Sequence, residues 1–140
     1  MAEGLFRHMV AGREDEFIIG SAGVNAIDGY PSSNETVRVM KEHGIDVSAH
    51  RSRRLTSAMV RMADKILVME HLHRAAILDS WPEASEKTKL LTEYSKKVNG
   101  RGLEIDIPDP IRMPDNFYKN VFLVIRECVS RVVEELKEGS

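Results

Sequence analysis

The stretch Lys65-Ile66-Leu67-Val68-Met69 constrains the fold of this chain more than any other. Successive side chains of an extended segment point to opposite faces, so an unbroken apolar run leaves neither face for water. Such a run is expected of a parallel strand covered on both sides. Helical patterns flank it. Thr56 is placed to cap a short helix bearing Met59, Val60 and Ala63, and a second helix, around 72–81, stops at Pro82. Helices before and after a strand that must be buried on both faces imply a layered α/β domain with a parallel sheet.

The remaining patterns extend that reading. Residues 1–11 begin inside a helical pattern, with Leu5, Met9 and Val10 on one side and Glu3, Arg7 and His8 on the other. Phe17-Ile18-Ile19 predicts a short strand that ends at Gly20-Ser21-Ala22-Gly23, where small residues allow close backbone approach. Ser32 and Glu35 have capping-box spacing for a helix through His43, with Val37 and Met40 inward and Gly44 as its stop. Lys89-Leu90-Leu91 reads as a further strand, and residues 95–107 as a long loop containing Gly100 and Gly102. The last helix starts near Pro114 and turns Phe117, Val121, Val124, Ile125, Cys128, Val132 and Leu136 inward. No linker or repeat interrupts the pattern, so residues 1–140 are expected to form a single domain.

Composition narrows the function classes. With 42% hydrophobic and 30% charged residues the chain reads as soluble and globular, and a net charge of -2 gives no reason to expect a nucleic-acid partner. No apolar run is long enough to span a bilayer, and no membrane partner is expected. The single cysteine, Cys128, excludes an internal disulfide and a multi-cysteine zinc site, and suits a reducing cytoplasm.

The candidate chemistry centres on Ile107-Pro108-Asp109-Pro110. Each proline fixes its own φ and biases the residue before it towards extended geometry, so Asp109 is held in a rigid, non-helical pose. A general acid needs that rigidity, although Asp-Pro is also ordinary turn chemistry. Other candidates are weaker. Cys128 falls on the helix stripe and reads as packing rather than as a nucleophile. His50-Arg51-Ser52-Arg53-Arg54 could gather a phosphate or form a solvated surface. Glu70, His71 and His73 superficially suggest metal ligands, but neighbours at that spacing alternate faces on a strand, and no metal is expected. Trp81 reads as packing.

Together, several stretches resemble the low molecular weight protein tyrosine phosphatase family across nearly the whole chain. They are Met1-Ala2-Glu3-Gly4-Leu5-Phe6-Arg7, Ser21-Ala22-Gly23, Gly44-Ile45-Asp46-Val47-Ser48-Ala49-His50-Arg51-Ser52-Arg53, Ala63-Asp64-Lys65-Ile66-Leu67-Val68-Met69-Glu70, and Asp109-Pro110 ahead of a terminal helix. The resemblance implies a three-layer α/β/α fold with a small parallel sheet. It also implies phosphomonoester hydrolysis through a cysteinyl-phosphate intermediate. Asp109 would be the general acid, with Ser21 and His50 supporting the phosphate loop by hydrogen bonds. Ile27 and Ile111 fall at the pocket rim, where the family often carries aromatic residues, and Tyr30 is near. No cofactor is implied, and the partner would be a phosphorylated protein or a small phosphomonoester. A related arsenate reductase would need several working cysteines, which Cys128 alone does not supply.

The family's centre is a phosphate loop, C-x5-R-S, after its first and central strand. By the resemblance, Met1 falls where the helix after that loop begins. The expectation is therefore an N-terminally truncated domain that lacks the first strand, the nucleophile and the phosphate-binding arginine. As it stands it should be inactive and prone to self-association through unpaired strand edges. The alternative is a nucleophile-less binding or regulatory protein on the same fold.

Overall fold

A computed structural model describes residues 1–95 and 105–138. Its elements run α1 (Ala2–Met9), α2 (Asn34–Glu42), α3 (Ser57–Met62), β1 (Ile66–Val68), α4 (His71–Ser80), β2 (Thr88–Leu90) and α5 (Asp115–Glu138). Short 3-10 turns occupy Glu14–Glu16, Pro82–Lys87 and Leu91–Tyr94. Residues 96–104 of the predicted long loop, with Gly100 and Gly102, lie outside the described residues.

The apolar run behaves as its composition requires. β1 pairs with β2 in parallel, Ile66 opposite Thr88, Leu67 opposite Lys89 and Val68 opposite Leu90, with α4 as the crossover between them. Alternate residues of the run enter different cores. Leu67 and Met69 pack against Leu5, Met40, Tyr118 and Phe122, whereas Ile66 and Val68 join Val60, Ile77, Ala84 and Leu90. The sheet thus separates a layer of α1, α2 and α5 from a layer of α3 and α4. This is the three-layer α/β/α arrangement.

Local signals explain the helices. Thr56 Oγ1 accepts the Met59 amide at 3.3 Å, the predicted cap of α3. At α2 the cap is Ser33, whose Oγ accepts the Thr36 amide at 3.2 Å, in place of the Ser32–Glu35 pair that the spacing suggested. Gly44 follows the helix at φ +76, the left-handed stop that glycine adopts without strain. Gly4 serves packing instead: a Cβ there would meet Val47 Cγ1 at 2.8 Å, so glycine lets α1 approach the loop after α2.

α5 carries the largest share of the core. Tyr118, Val121, Phe122, Ile125, Cys128, Val129, Val132 and Val133 are all buried on it. Val124, expected inward, is exposed. The buried face is centred one position away from the predicted stripe, where Tyr118, Phe122 and Val129 fill it. Each such side chain contributes roughly 1.5–3 kcal/mol by leaving water.

The predicted strand at Phe17–Ile19 does not form. Phe17 is extended (φ -133, ψ 136), yet the segment has no strand partner among the described residues, and Ile18 is fully exposed. The carbonyls of Ile19 and, beyond the segment, Ser21 go to arginines instead. The Arg7 guanidinium donates to Ile19 O, and Arg53 Nε donates to Ser21 O at 2.9 Å. Extended backbone is a property of one segment, but a strand requires a neighbour.

β1 likewise has one strand neighbour, β2, among the described residues. Unpaired sheet edges template association between chains. We therefore expect residues 1–140 to associate in a concentration-dependent manner in sedimentation velocity, with a broad thermal transition. A monomer that unfolds cooperatively at high temperature would contradict this.

Candidate active site

The segment 105–110 has no regular secondary structure, so separate contacts must hold it. Ile107 is buried and its amide donates to Met69 O at 2.8 Å, just beyond the C-terminal end of β1. Thr92 Oγ1 donates to Ile105 O at 2.6 Å. Asp106 Oδ1 accepts from the His71 amide at 2.8 Å and lies 2.7 Å from His71 Nδ1. The two prolines then carry the chain out to Asp109, whose Oδ1 accepts the Ile111 amide at 3.0 Å. A turn closes behind it, with Met113 N donating to Pro110 O at 2.9 Å and Arg112 at φ 65.

Asp109 is exposed and borders a cleft of about 350 Å³. Met1 and Ala2 at the start of α1 line the same cleft, as do Ser33, Met69, Ile111 and Tyr118. This is the region beyond the carboxyl end of the sheet, where α/β folds bind their ligands. The first turn of a helix presents amide groups without helical partners and a positive dipole end. The cleft is therefore lined both by an anion-favouring helix start and by a carboxylate.

Ser21 and His50 lie around Glu3 rather than in the cleft lining. Ser21 Oγ donates to Glu3 Oε1 at 2.7 Å, and Arg7 Nε donates to Glu3 Oε2 at 3.1 Å. Burial pushes the Glu3 carboxyl up, but the hydrogen bonds from Ser21 and Arg7 and the charges of Arg7 and His50 outweigh it. Glu3 is held below the ordinary carboxylate range. The sequence reading missed this hub, although Glu3 and Arg7 have the i,i+4 spacing of a helical ion pair.

Of the two rim residues, Ile111 borders the cleft beside Asp109. Ile27 does not. It sits, largely exposed, on a loop pinned to residues 51–54, with Ser52 Oγ donating to Ile27 O at 2.6 Å. The neighbouring arginines are exposed but make backbone bonds of their own: Arg51 donates to the carbonyls of Ser48 and His50, and Arg53 to Ser21. Cys128 is buried to 1% exposure, and desolvation first, then the charge of Glu127, push its thiol up to about 11. His71 and His73 stand on α4 rather than on a strand, and each faces a different carboxylate, Asp106 and Glu70. Among the described residues no group of three or more histidine, cysteine or acidic side chains is placed to hold a metal. No helix among them is long and apolar enough to cross a membrane.

The class defined so far is a three-layer α/β domain with a proline-clamped carboxylate over a cleft at the end of a parallel sheet. A family model described as low molecular weight phosphotyrosine protein phosphatase matches residues 1–140, and the chain belongs to that family. The low molecular weight protein-tyrosine-phosphatase Ptp of Acinetobacter johnsonii is 31% identical over 82% of this chain and 75% of its own length. A protein-arginine-phosphatase of Geobacillus stearothermophilus is 32% identical over 85% of this chain and 76% of its own. Among solved structures, the low molecular weight protein tyrosine phosphatase from T. tengcongensis superposes with a TM-score of 0.85 at 32% identity. That match covers 96% of this chain and 88% of the other.

The Glu3 hub yields a pH prediction. A carboxyl whose pKa falls on folding contributes stability that is fully present above its unfolded value, near 4.5. That contribution is lost as pH falls through the lower folded value. In carboxyl-carbon NMR titrations Glu3 should titrate below free glutamate, and Ser21→Ala should move it upward. An unchanged Glu3 titration in Ser21→Ala would remove Ser21 from the hub.

Proposed function

We propose that this chain serves phosphomonoester hydrolysis, with Asp109 as the general acid. The observation that carries this reading is the position of Asp109, which lines the same cleft as the start of α1. A phosphoryl group held near that helix start would put its ester oxygen within reach of the carboxyl. As the P–O bond breaks, Asp109 gives its proton to the departing oxygen. The resulting carboxylate can then take a proton from the water that attacks the phosphorylated nucleophile. Ser21 and His50 act through Glu3, which fixes the start of α1, while Ile111 borders the substrate.

A cysteinyl-phosphate route needs a thiolate at the cleft. Within residues 1–140 the one thiol is Cys128, buried in the α5 core with its pKa raised, and no C-x5-R sequence occurs. These residues supply the acid half of the mechanism and its supports. The relatives are named for tyrosine and for arginine phosphatase activity, so the substrate class is a phosphorylated protein side chain or a small phosphorylated analogue. As a second reading, the anion-favouring start of α1 beside the cleft would serve a binding protein on the same fold.

We expect residues 1–140 alone to turn over no aryl phosphate. Placing a strand and a C-x5-R-S loop ahead of Met1 should create turnover that depends on the added cysteine and is indifferent to Cys128→Ser. Turnover by residues 1–140 that is lost in Cys128→Ser would overturn the site. An extended form that binds phosphopeptide without hydrolysing it would establish the second reading.

A further expectation concerns leaving groups. In the extended form Asp109→Asn should slow hydrolysis of substrates with strongly basic leaving oxygens by about 10²–10⁴-fold, and of activated aryl phosphates far less. Equal losses on both would reduce Asp109 to a turn residue.

A further inference from the structure

The N-terminus of α4 is capped from far away in the sequence. Glu70 holds the N-cap position but makes no side-chain cap bond, and its carboxylate lies 3.4 Å from His73 Nε2 instead. The first amide of the helix, that of His71, donates to Asp106 Oδ1 at 2.8 Å, and the His71 ring approaches the same oxygen at 2.7 Å. Asp106 is thus docked on a helix N-terminus by two hydrogen bonds that converge on one carboxylate oxygen. Three residues later comes Asp109.

We propose that Asp106 and His71 are positioning residues for the acid: their contact fixes where the segment 105–110 presents Asp109 to the cleft. The inference rests on the reading of Asp109 as general acid. The other anchors differ in kind. The Ile107 amide and the Thr92 hydroxyl make neutral bonds on either side of Asp106, whereas the Asp106 contact joins a carboxylate to a helix N-terminus and an imidazole. Charge-assisted bonds are roughly twice as strong as neutral ones. Asp106 sits below the ordinary carboxylate range chiefly because it accepts the His71 amide, and then the His71 ring. It therefore remains an acceptor at mildly acidic pH.

The contact also sets an expected order among variants. Asp106→Ala removes both bonds, His71→Ala removes one and leaves the backbone cap, and Asp106→Asn keeps an acceptor for the amide. Amide hydrogen exchange on residues 1–140 reads the segment directly. Exchange at Ile107 and Ile111 should accelerate most in Asp106→Ala, less in His71→Ala, and least in Asp106→Asn. In the extended form, Asp106→Ala should lower turnover of the poor leaving group about tenfold more than that of the good one. Combined with Asp109→Asn it should add little, because a positioning residue acts through the acid.

Losses that multiply with Asp109→Asn, or that fall equally on both substrates, would overturn the proposal. So would unchanged exchange at Ile107 and Ile111 in Asp106→Ala. If the extended form hydrolyses nothing, the acid reading of Asp109 fails with it. The exchange measurement on residues 1–140 still decides whether Asp106 holds the segment.

Discussion

A parallel strand has two faces to cover and two edges to pair, and the architecture follows from how far β1 meets both demands. Both faces are covered, Val68 fully and its neighbours in part, because Leu67 and Met69 enter one core and Ile66 and Val68 the other. Among the described residues its edge is paired by β2 alone. The extended stretch at residues 17–21 faces the same shortage of a neighbour. Buried or half-buried carbonyls need donors whether or not a strand supplies them. Arg7 and Arg53 provide those donors at Ile19 and Ser21, which is why these arginines do more than solvate a surface.

The divide between what was legible in the sequence and what was not follows the same physics. Helices are local, so the cap at Thr56, the stop at Gly44 and the burial of Cys128 could all be read from spacing. The apolar run of β1 was equally plain, since two-sided burial leaves no alternation. The strand at Phe17–Ile19 was misread because pairing depends on a second segment, which no local pattern encodes. Ser33 rather than Ser32 as the cap of α2, and the exposure of Val124, are shifts of one position. Helix periodicity does not resolve shifts that small.

The candidate site divides in the same way. Asp109 was legible because two prolines fix its backbone wherever the segment lands. Ser21 and His50 entered through the family resemblance, and the structure gathers them around Glu3, a residue that periodicity marked only as solvent-facing. Ile111 is at the cleft and Ile27 is not, because the loop of Ile27 is tied to residues 51–54 by Ser52. Contacts between residues dozens of positions apart, such as His71 with Asp106, leave no trace in spacing.

The two sides of the cleft are tied down by small electrostatic devices: Glu3 with Ser21 and Arg7 behind the start of α1, and Asp106 with His71 behind Asp109. Exposed or half-buried pairs of this kind typically contribute only about 0–1 kcal/mol to stability. The packing of α5, with Tyr118 and Phe122 at its centre, outweighs them by far as a source of folding energy. Their importance lies in geometry. A misplacement of about 1 Å can lower a rate some 10²-fold without unfolding anything. If Asp109 is the acid proposed above, removing either tie should therefore be felt in its alignment against a phosphoryl group long before it is felt in the melting temperature. On the proposed reading of Asp109, residues that look dispensable in a stability screen would be the ones that set the chemistry.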